Sequence, residues 1–318
     1  MDRLAGMQVF VQVVEQGSFA RAAARLGLST SACSRQVAEL ETHLGSRLLN
    51  RTTRRLSLTE TGQAFFERSV QLLSDLDDAE QMAAQSAQSP RGTLKVTCSS
   101  TFGIRYLAPA MADFQAVYPD MRFDLSLSER IVDLVEEGFD LGVRIGQVGS
   151  QNLVARKLGE TRLVACASPD YLKRRGAPKT PADLASHNCF VYAHASPPGT
   201  WRFIDRDGRE HGVRVTGNLT CNNGDLLTAA ALAGAGIVYE PSVIVGPALR
   251  EGRLVRLLAG YESPPSDIWA VYPTRRHLSA KVRSFVDFLV QHFNGRSDWA
   301  AAPAQPPSET AQGKIQAA

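Results

Sequence analysis

The sequence predicts an α/β protein with an N-terminal winged helix-turn-helix and a long linker helix, followed by a larger domain of alternating strands and helices. Three observations predict this fold. Residues 18–59 have the pattern of helix, tight turn, helix and arginine-rich hairpin. Residues 60–89 keep one helical pattern without a break. From Thr93 onward, short β-prone runs alternate with amphipathic helical runs.

The composition is that of a globular protein. The chain has 318 residues, of which 44% are hydrophobic and 21% are charged, so it has room for two or three domains with sizeable cores. Its net charge is only +3, so positive charge matters only where it is concentrated. No run of about 18 apolar residues is present, and the amphipathic N-terminus lacks a cleavage signature. We therefore expect neither a membrane span nor a signal sequence.

Cysteine and histidine spacing argues against several kinds of site. The five cysteines are odd in number, widely spaced and without a C-x-x-C pair, which favours a reducing cytoplasm and no disulfide framework. The six histidines have no metal-ligand spacing, and the sequence contains no P-loop, H-E-x-x-H or G-x-S-x-G motif. We therefore expect no metal, no cofactor and no enzyme activity.

Two helices joined by a tight turn follow a first helix over residues 3–16. Ser18 and Ser29 stand where N-caps are expected, and Gly27 can end the first of the two helices in a left-handed turn. The apolar stripe of the second helix consists of Cys33, Val37, Leu40 and Leu44. Its opposite face carries hydroxyls and an arginine but no carboxylate, which suits insertion into a major groove.

An arginine-rich segment follows this helix. Between Thr42 and Thr59 there is no Asp or Glu, and four arginines crowd together. The β-prone runs 47–50 and 55–58 flank a tip, as the strands of a wing would. An ordinary three-helix bundle with a solvated cationic loop is the alternative, but the neighbouring helix-turn-helix pattern favours binding to double-stranded DNA. The predicted DNA contacts are Ser29, Thr30, Ser31, Ala32, Ser34, Arg35, Arg51, Thr52 and Arg54.

Thr59 is the expected N-cap of the long helix, which runs from Glu60 to about Ser89. Its residues at alternating gaps of four and three predict a coiled-coil seam and a homodimer or homotetramer. The seam residues are Phe65, Ser69, Leu72, Leu76, Ala79 and Ala83. A second stripe of Phe66, Val70 and Leu73 is expected to pack on the DNA-binding domain. An amphipathic helix packed within one subunit is the alternative.

Two long stretches resemble one family. Residues 17–62, GSFARAAARLGLSTSACSRQVAELETHLGSRLLNRTTRRLSLTETG, resemble the N-terminal region of LysR-type transcriptional regulators. GTLKVTCSSTFGIRYLAPAMADFQAVYP, FDLGVRIG, ASPDYL, LAGAGIVYEP and VYPTRRHLSAKVRSFVDFL resemble the effector-binding half of the same family. The chain departs from the usual pattern at Thr30, where a glutamine is common, and at Cys33, where an aliphatic residue is common. Thr30 shortens a base-reading side chain.

The resemblance implies a bilobal type 2 periplasmic-binding-protein-like effector domain after the winged helix-turn-helix. The expected divisions are a DNA-binding domain over 1–59, a linker and dimerisation helix over 60–89, and an effector-binding domain over 92–296. Lobe I would comprise 92–164 and 269–296, and lobe II would comprise 165–268. Strands are expected at 94–98, 121–127, 140–144, 163–167, 213–221, 237–239, 254–257 and 268–272, and helices at 101–118, 130–137, 225–233 and 279–293. The Ala/Pro/Gln-rich residues 297–318 predict a disordered tail.

A small-molecule site is expected between the lobes. Ser99, Ser100 and Thr101 lie at a predicted helix N-terminus, which favours an anion, although simple helix capping is an equal alternative. The resemblance places Ser128, Arg130, Arg144, Asn222, Asn223 and Glu240 around the same cleft. The two arginines hint at a carboxylate ligand, with structural ion pairs as their alternative.

The resemblance implies a transcriptional regulator that binds an interrupted inverted repeat and responds to a small-molecule effector, with RNA polymerase open as a further partner. A solute-binding receptor and an enzyme of the same bilobal architecture are the alternatives. The residues before Pro90 count against the receptor, and the missing catalytic motifs count against the enzyme.

Overall fold

The computed structural model describes residues 2–51, 56–83, 90–146, 153–195, 197–274, 278–296 and Trp299. The chain forms two compact units, Met1–Ser89 and Pro90–Ala318. Within the described ranges, no helix is both long enough and apolar enough to cross a membrane.

Over its described residues, the first unit has four helices and a two-stranded hairpin. Its elements are α1 (Arg3–Gln16), α2 (Phe19–Leu26), α3 (Thr30–Leu44), β1 (Leu49–Arg51), β2 (Leu56–Leu58) and α4 (Glu60–Ala83). The first three helices each end at a glycine with positive φ, because a left-handed residue lets the chain reverse at little steric cost. These glycines are Gly17, Gly27 and Gly45. β1 and β2 pair antiparallel, with Leu49 opposite Leu58.

The core of this unit is filled from α1, α2, α3 and the base of the hairpin. Cys33, Val37 and Leu40 are buried as predicted, whereas Leu44, the last residue of α3, is largely exposed. From α4, the predicted stripe of Phe66, Val70 and Leu73 packs against this core.

The predicted seam of α4 divides into two parts. Phe65 packs in the unit's own core, with its ring centroid 5.7 Å from that of Phe10, and Ser69 is fully buried. The seam prediction is therefore wrong for these two residues, because the small core of three short helices needs cover from the fourth. Leu72 is 57% exposed. Ala79 and Ala83 belong to α4, but their side chains lie outside the described part.

The second unit is built on a twisted mixed sheet. Its first half contains β3 (Gly92–Cys98), α5 (Ser100–Phe102), a π-helical turn (Gly103–Leu107), α6 (Ala108–Val117), β4 (Met121–Leu127), β5 (Leu141–Ile145) and β6 (Leu153–Ala167). Next come α7 (Pro169–Arg175), a 3₁₀ helix (Pro181–Ser186), β7 (Val191–Tyr192), β8 (Thr200–Ile204), β9 (Glu210–Arg214), β10 (Thr220–Cys221) and α8 (Gly224–Leu232). The last elements are β11 (Val238–Pro241), α9 (Ser242–Arg250), β12 (Val255–Arg256), β13 (Pro265–Pro273) and α10 (Ala280–Phe293).

The main sheet has the strand order β11-β6-β13-β5-β3-β4, and β12 also pairs with β6. β3 runs parallel to β4 and β5, and β13 runs antiparallel to β5 and β6. β6 changes its partner from β13 to β11 between Arg162 and Leu163. Below, lobe I means β3 to β5, β13, α10 and residues 153–162, and lobe II means residues 163–167 with the elements from α7 to β12.

Two predicted elements, the helix over 130–137 and the strand over 213–221, differ most from the structure. Residues 134–138 form turns rather than part of a helix, because the Asp133 carboxylate accepts hydrogen bonds from the amides of Val135 and Glu136 and supports a local turn. The strand predicted over 213–221 is interrupted after Arg214, because the chain leaves its partner β8 there and pairs with β7 only from Thr220.

The predicted tail lies outside the described residues except at Trp299, where the prediction of disorder is wrong. Trp299 is 1% exposed, and its ring centroid lies 5.5 Å from that of Phe102, 5.4 Å from Tyr106 and 4.9 Å from Phe293. Its carbonyl oxygen accepts a hydrogen bond from the Ser242 hydroxyl. A Cβ at Gly159 would lie 2.5 Å from the Trp299 ring, so only glycine leaves room there. A large apolar ring buried in this way stabilises the core that it contacts.

Candidate functional site

The N-terminal half of α3 presents the predicted DNA-contact face. The Ser29 hydroxyl accepts from the Ala32 amide at 3.1 Å and lies 3.0 Å from the Ser31 hydroxyl. Thr30, Ser31 and Arg35 are exposed, whereas Ala32 and Ser34 are half-buried. The acids of α3, Glu39 and Glu41, lie in its second half. The exposed N-terminal face therefore combines hydroxyls with one guanidinium and leaves negative charge out.

The hairpin is fixed to α3 by a residue that the sequence analysis did not single out. The Glu41 carboxylate accepts from the amides of Leu48 and Leu49, at 2.9 and 3.1 Å. The only sequence signal was an acid on the helix seven residues before two leucines. On the other side, a Cβ at Gly62 would lie 2.0 Å from the Leu48 carbonyl oxygen, so α4 approaches the hairpin as only glycine allows. Thr52, Arg54 and the side chain of Arg51 lie outside the described part.

The second unit contains a cavity of about 460 Å³ between the lobes. Five of the predicted effector residues line it: Ser99, Thr101, Ser128, Arg144 and Glu240. They come from the ends of β3, β4, β5 and β11 and from the start of α5. The sheet order brings these ends together, although the residues are up to 141 positions apart in the chain.

Four predicted residues do not line this cavity, which corrects the prediction for each. Arg130 turns outward, and its guanidinium donates to both carboxylate oxygens of Glu137 at 2.7 and 2.8 Å, so its ion-pair alternative holds. Asn222 is exposed. Ser100 is half-buried, and its amide donates to the Glu129 carboxylate at 2.9 Å. Asn223 caps α8 by accepting from the Leu226 amide at 3.0 Å.

The cavity also has walls that the sequence analysis missed. Glu129 lies at the N-terminus of α5, where an external anion was expected. Aromatic rings supply much of the remaining lining: Tyr192, His194, Trp201 and Tyr239. Their places in short strands and loops of lobe II gave no periodic signal, so only the three-dimensional fold identifies them.

Arg144 is half-buried and already hydrogen-bonded. Its guanidinium donates to the Thr97 hydroxyl at 3.2 Å and to the Val143 carbonyl at 3.4 Å. Burial lowers the pKa of Arg144, against the opposing effects of the nearby Cys98 and Glu129. Burial also raises the pKa of the Cys98 thiol to about 12, so Cys98 remains protonated. Across the described ranges, no group of three or more His, Cys, Asp or Glu residues could hold a metal ion.

Several polar contacts join the lobes beside the cavity. The Thr101 hydroxyl donates to Asp225 Oδ2 at 2.5 Å, and Arg105 donates to Asp225 Oδ1 at 2.8 Å. Arg105 also donates to the Ile244 carbonyl at 2.7 Å, and the Tyr106 hydroxyl donates to the Val243 carbonyl at 3.0 Å. Arg105 and Tyr106 come from the π-helical turn, a conformation often found at functional sites.

A winged helix-turn-helix joined to a two-lobed domain with a ligand-sized cavity defines the class of ligand-responsive transcriptional regulators. Comparison with known proteins gives the family. Residues 4–63 match the bacterial regulatory helix-turn-helix protein of the lysR family, and residues 87–294 match the LysR substrate binding domain.

Relatives and solved structures cover nearly the whole chain. An HTH-type transcriptional regulator of Xanthomonas campestris pv. campestris (strain 8004) is 39% identical over 312 residues, which is 96% of this chain and 90% of that protein. The structure of CrgA, a LysR-type transcriptional regulator from Neisseria meningitidis, is 36% identical, with a TM-score of 0.59 over 91% of this chain and 98% of that one. The full-length Vibrio cholerae virulence activator AphB is 28% identical, with a TM-score of 0.56 over the same shares.

The chain belongs to the LysR family of transcriptional regulators, with a helix-turn-helix and an effector-binding domain. This confirms the family and the fold class that the sequence predicts.

Proposed function

We propose that α3 and the wing of this regulator read an interrupted inverted repeat in double-stranded DNA. The observation that carries this proposal is the exposed, acid-free N-terminal face of α3 next to a hairpin that Glu41 holds in place. Hydroxyls and a guanidinium are the groups that contact base edges and phosphates, and a buried apolar stripe behind them keeps the helix on its own domain.

An inverted repeat needs two copies of the chain, and α4 is the proposed dimerisation element. Leu72 supports this role because a large apolar side chain that is 57% exposed on a long helix gains from burial against a partner. A homodimer or a homotetramer of such dimers would present paired winged domains. The proposed place of action is the cytoplasm, where the DNA lies, and RNA polymerase is a proposed partner at the promoter.

A small-molecule effector is proposed for the cavity between the lobes. The cavity is of a size that suits small ligands, and polar contacts such as Arg105 to Asp225 join the lobes at its edge. A ligand that favours one lobe geometry would shift the population of that geometry and hence the presentation of the winged domains. The carboxylate expectation rested on Arg130 and Arg144, and only Arg144 lines the cavity.

A gel shift with the DNA upstream of the chain's own gene tests the DNA-binding site. We expect Arg35→Ala to weaken binding about ten- to a hundredfold, because one guanidinium contact to a base or phosphate is lost. Arg209→Ala is the matched control, because Arg209 is an exposed arginine in the turn before β9 of the other unit. Equal affinities of the Arg35→Ala variant and the wild type would remove α3 from the DNA interface.

A further inference from the structure

Two carboxylates line the cavity and a third, Asp225, bonds to its lining residue Thr101; two of the three have partners. Glu129 Oε1 accepts from the Ser100 amide at 2.9 Å and from the Asn223 side chain at 3.5 Å. Asp225 accepts from Thr101 and forms an ion pair with Arg105 at 2.8 Å. The remaining carboxylate is Glu240.

Glu240 is 4% exposed, lines the cavity, and has a buried Oε1 without a hydrogen-bond partner. In the part of the chain that the structure describes, no lysine, arginine or histidine forms an ion pair with it. A Cβ at Gly224 would lie 2.6 Å from Glu240 Oε2, so the first residue of α8 leaves space for this carboxyl. A buried carboxyl without a partner destabilises a protein, so its presence here points to a group that arrives from outside.

The electrostatic setting of Glu240 favours a cation. Burial, with smaller contributions from the charges of Glu129 and Asp225, raises the pKa of Glu240 to about 8. The carboxyl is therefore mostly protonated at pH 7 in the empty cavity. A positive charge beside it would lower this pKa and stabilise the ionised form.

Aromatic side chains line the same cavity. Tyr192 lines the cavity, and burial, with smaller effects of the charges of Glu129 and Glu240, raises the pKa of its hydroxyl to about 12. Trp201 also lines the cavity and stacks on Tyr239, with their ring centroids 4.9 Å apart. The faces of Trp and Tyr attract ammonium groups, so carboxylates and aromatic walls act on the same kind of ligand.

We propose that the ligand of this cavity carries a protonated amine, which Glu240 and Glu129 bind among the aromatic side chains of Tyr192 and Trp201. This inference rests on the proposed function of the cavity as the effector site. A carboxylate ligand fits this site less well, since Glu129 already accepts from the amide of Ser100 and its negative charge would repel a second anion. Arg144 and Arg202 also line the cavity, so the rest of the ligand can include hydrogen-bond acceptors.

Binding of an ammonium group has a proton balance that can be measured. The ligand amine enters as its ammonium form and keeps its proton. Glu240 enters as the neutral carboxylic acid, becomes the carboxylate, and releases its proton to the buffer. Near pH 7, about one proton should leave for each ligand bound, whereas an amine bound away from Glu240 would release none.

The test is calorimetric titration of the full-length chain at pH 7 with 2-phenylethylamine and with butylamine, each compared with its carboxylate counterpart, 3-phenylpropionate and valerate. Titrations in phosphate and in MOPS, whose ionisation enthalpies differ, report the proton released. We expect at least one amine to bind with release of about one proton, and the carboxylates to bind at least tenfold more weakly. Glu240→Gln should weaken amine binding about ten- to a hundredfold and abolish the proton release. Glu210→Gln, at an exposed position in β9, should change neither.

Three results would overturn the inference: tighter binding of the carboxylates, no binding of either amine, or amine binding without proton release. All three results are measured on the wild-type chain, so they stand even if Glu240→Gln fails to fold. A carboxylate whose binding is lost in Tyr192→Leu would keep the cavity as the effector site and overturn only the amine. Failure of the upstream DNA to bind in the gel shift would instead count against the proposed function.

Discussion

Glu240 makes the stability of the second unit depend on pH. Its pKa is about 8 in the folded chain, against an ordinary value of 4.5, because it is buried near Glu129 and Asp225. Between these two pH values the folded state holds a proton that the unfolded state has lost. The free energy of unfolding therefore falls as the pH rises through this window, by about 1.4 kcal/mol per pH unit from this one group, and becomes flat above pH 8.

Thermal melting from pH 5 to pH 9 measures this dependence. We expect Glu240→Gln to remove most of the decline, because glutamine has no proton to lose. Glu210→Gln should keep the wild-type profile, since that side chain is exposed in β9. A Glu240→Gln profile that still falls with the wild-type slope would show that other groups cause the dependence.

Some contacts of single residues in the cavity region could not be predicted from the sequence. The positions of Ser99 and Thr101 at a helix start could be predicted from local pattern alone. The hydrogen bond from the Ser100 amide to Glu129 could not be predicted, because the two residues are 29 positions apart. Only the pairing of β3 with β4 brings them together. The same limit applies to Arg130, whose contact with Glu137 depends on a turn rather than on the predicted helix.

Helix α4 shows what a heptad pattern can and cannot predict. Its heptad pattern predicted a seam, and the structure assigns Phe65 and Ser69 to the core of the unit while Leu72 stays exposed. The heptad pattern does not show how far along α4 the small core extends. That extent decides which seam residues are buried and which are exposed. Leu72 is therefore the first seam residue that the small core leaves exposed, and Leu76 is half-buried.

A charge at Leu72 tests the proposed dimer. We expect Leu72→Glu to yield monomers and to weaken binding to the upstream DNA strongly, because a monomer loses the tethered second half-site. The monomer itself should fold, since Leu72 contributes little to its own core. Sedimentation velocity and the gel shift give the two readouts.

Glu67→Lys is the matched control on the same helix. Glu67 is exposed, and five residues of helix place it about 140° around the axis from Leu72. It should leave the oligomeric state unchanged. A Leu72→Glu chain that still sediments as the wild type does would mean that α4 packs only within its own subunit or that copies associate elsewhere.

At the scale of the whole second unit, Asp225 is the residue that most directly joins the lobes. It accepts from Thr101 and from Arg105 of lobe I, and its side chain is about one-third exposed. We expect Asp225→Asn to loosen this contact and destabilise the unit by about 1 kcal/mol, after allowance for solvent screening. Hydrogen exchange at the α8 amides should become faster, because α8 is then held to lobe I by fewer contacts.

Asp170→Asn provides the comparison, since Asp170 forms an exposed pair with Lys173 on α7 within lobe II. That substitution should change the melting temperature little and leave the exchange of α8 unaffected. Identical exchange of α8 in the wild type and in Asp225→Asn would show that apolar packing alone joins the lobes.

The overall architecture was predictable because strand and helix periods, helix caps and glycine turns are local signals. The π-helical turn was not predictable, because its side chains Arg105 and Tyr106 reach carbonyl groups of α9 that are 139 and 137 positions away. The length of β6 was also missed, since its first part is exposed and charged and lacks the apolar run that marked residues 163–167. The aromatic residues of the cavity wall were not predictable for the same reason. They meet in the folded chain, but no sequence pattern links them.

The burial of Trp299 sets where a working fragment must end. Similarity to the family's effector-binding domain stops at residue 294, so a fragment designed by homology would end a few residues before the ring. Such a fragment would leave an open space beside Gly159, and the rings of Phe102, Tyr106 and Phe293 would face water there. The Ser242 hydroxyl would also lose the carbonyl oxygen of residue 299 as its acceptor. A fragment that keeps the packing of the second unit must therefore include Trp299.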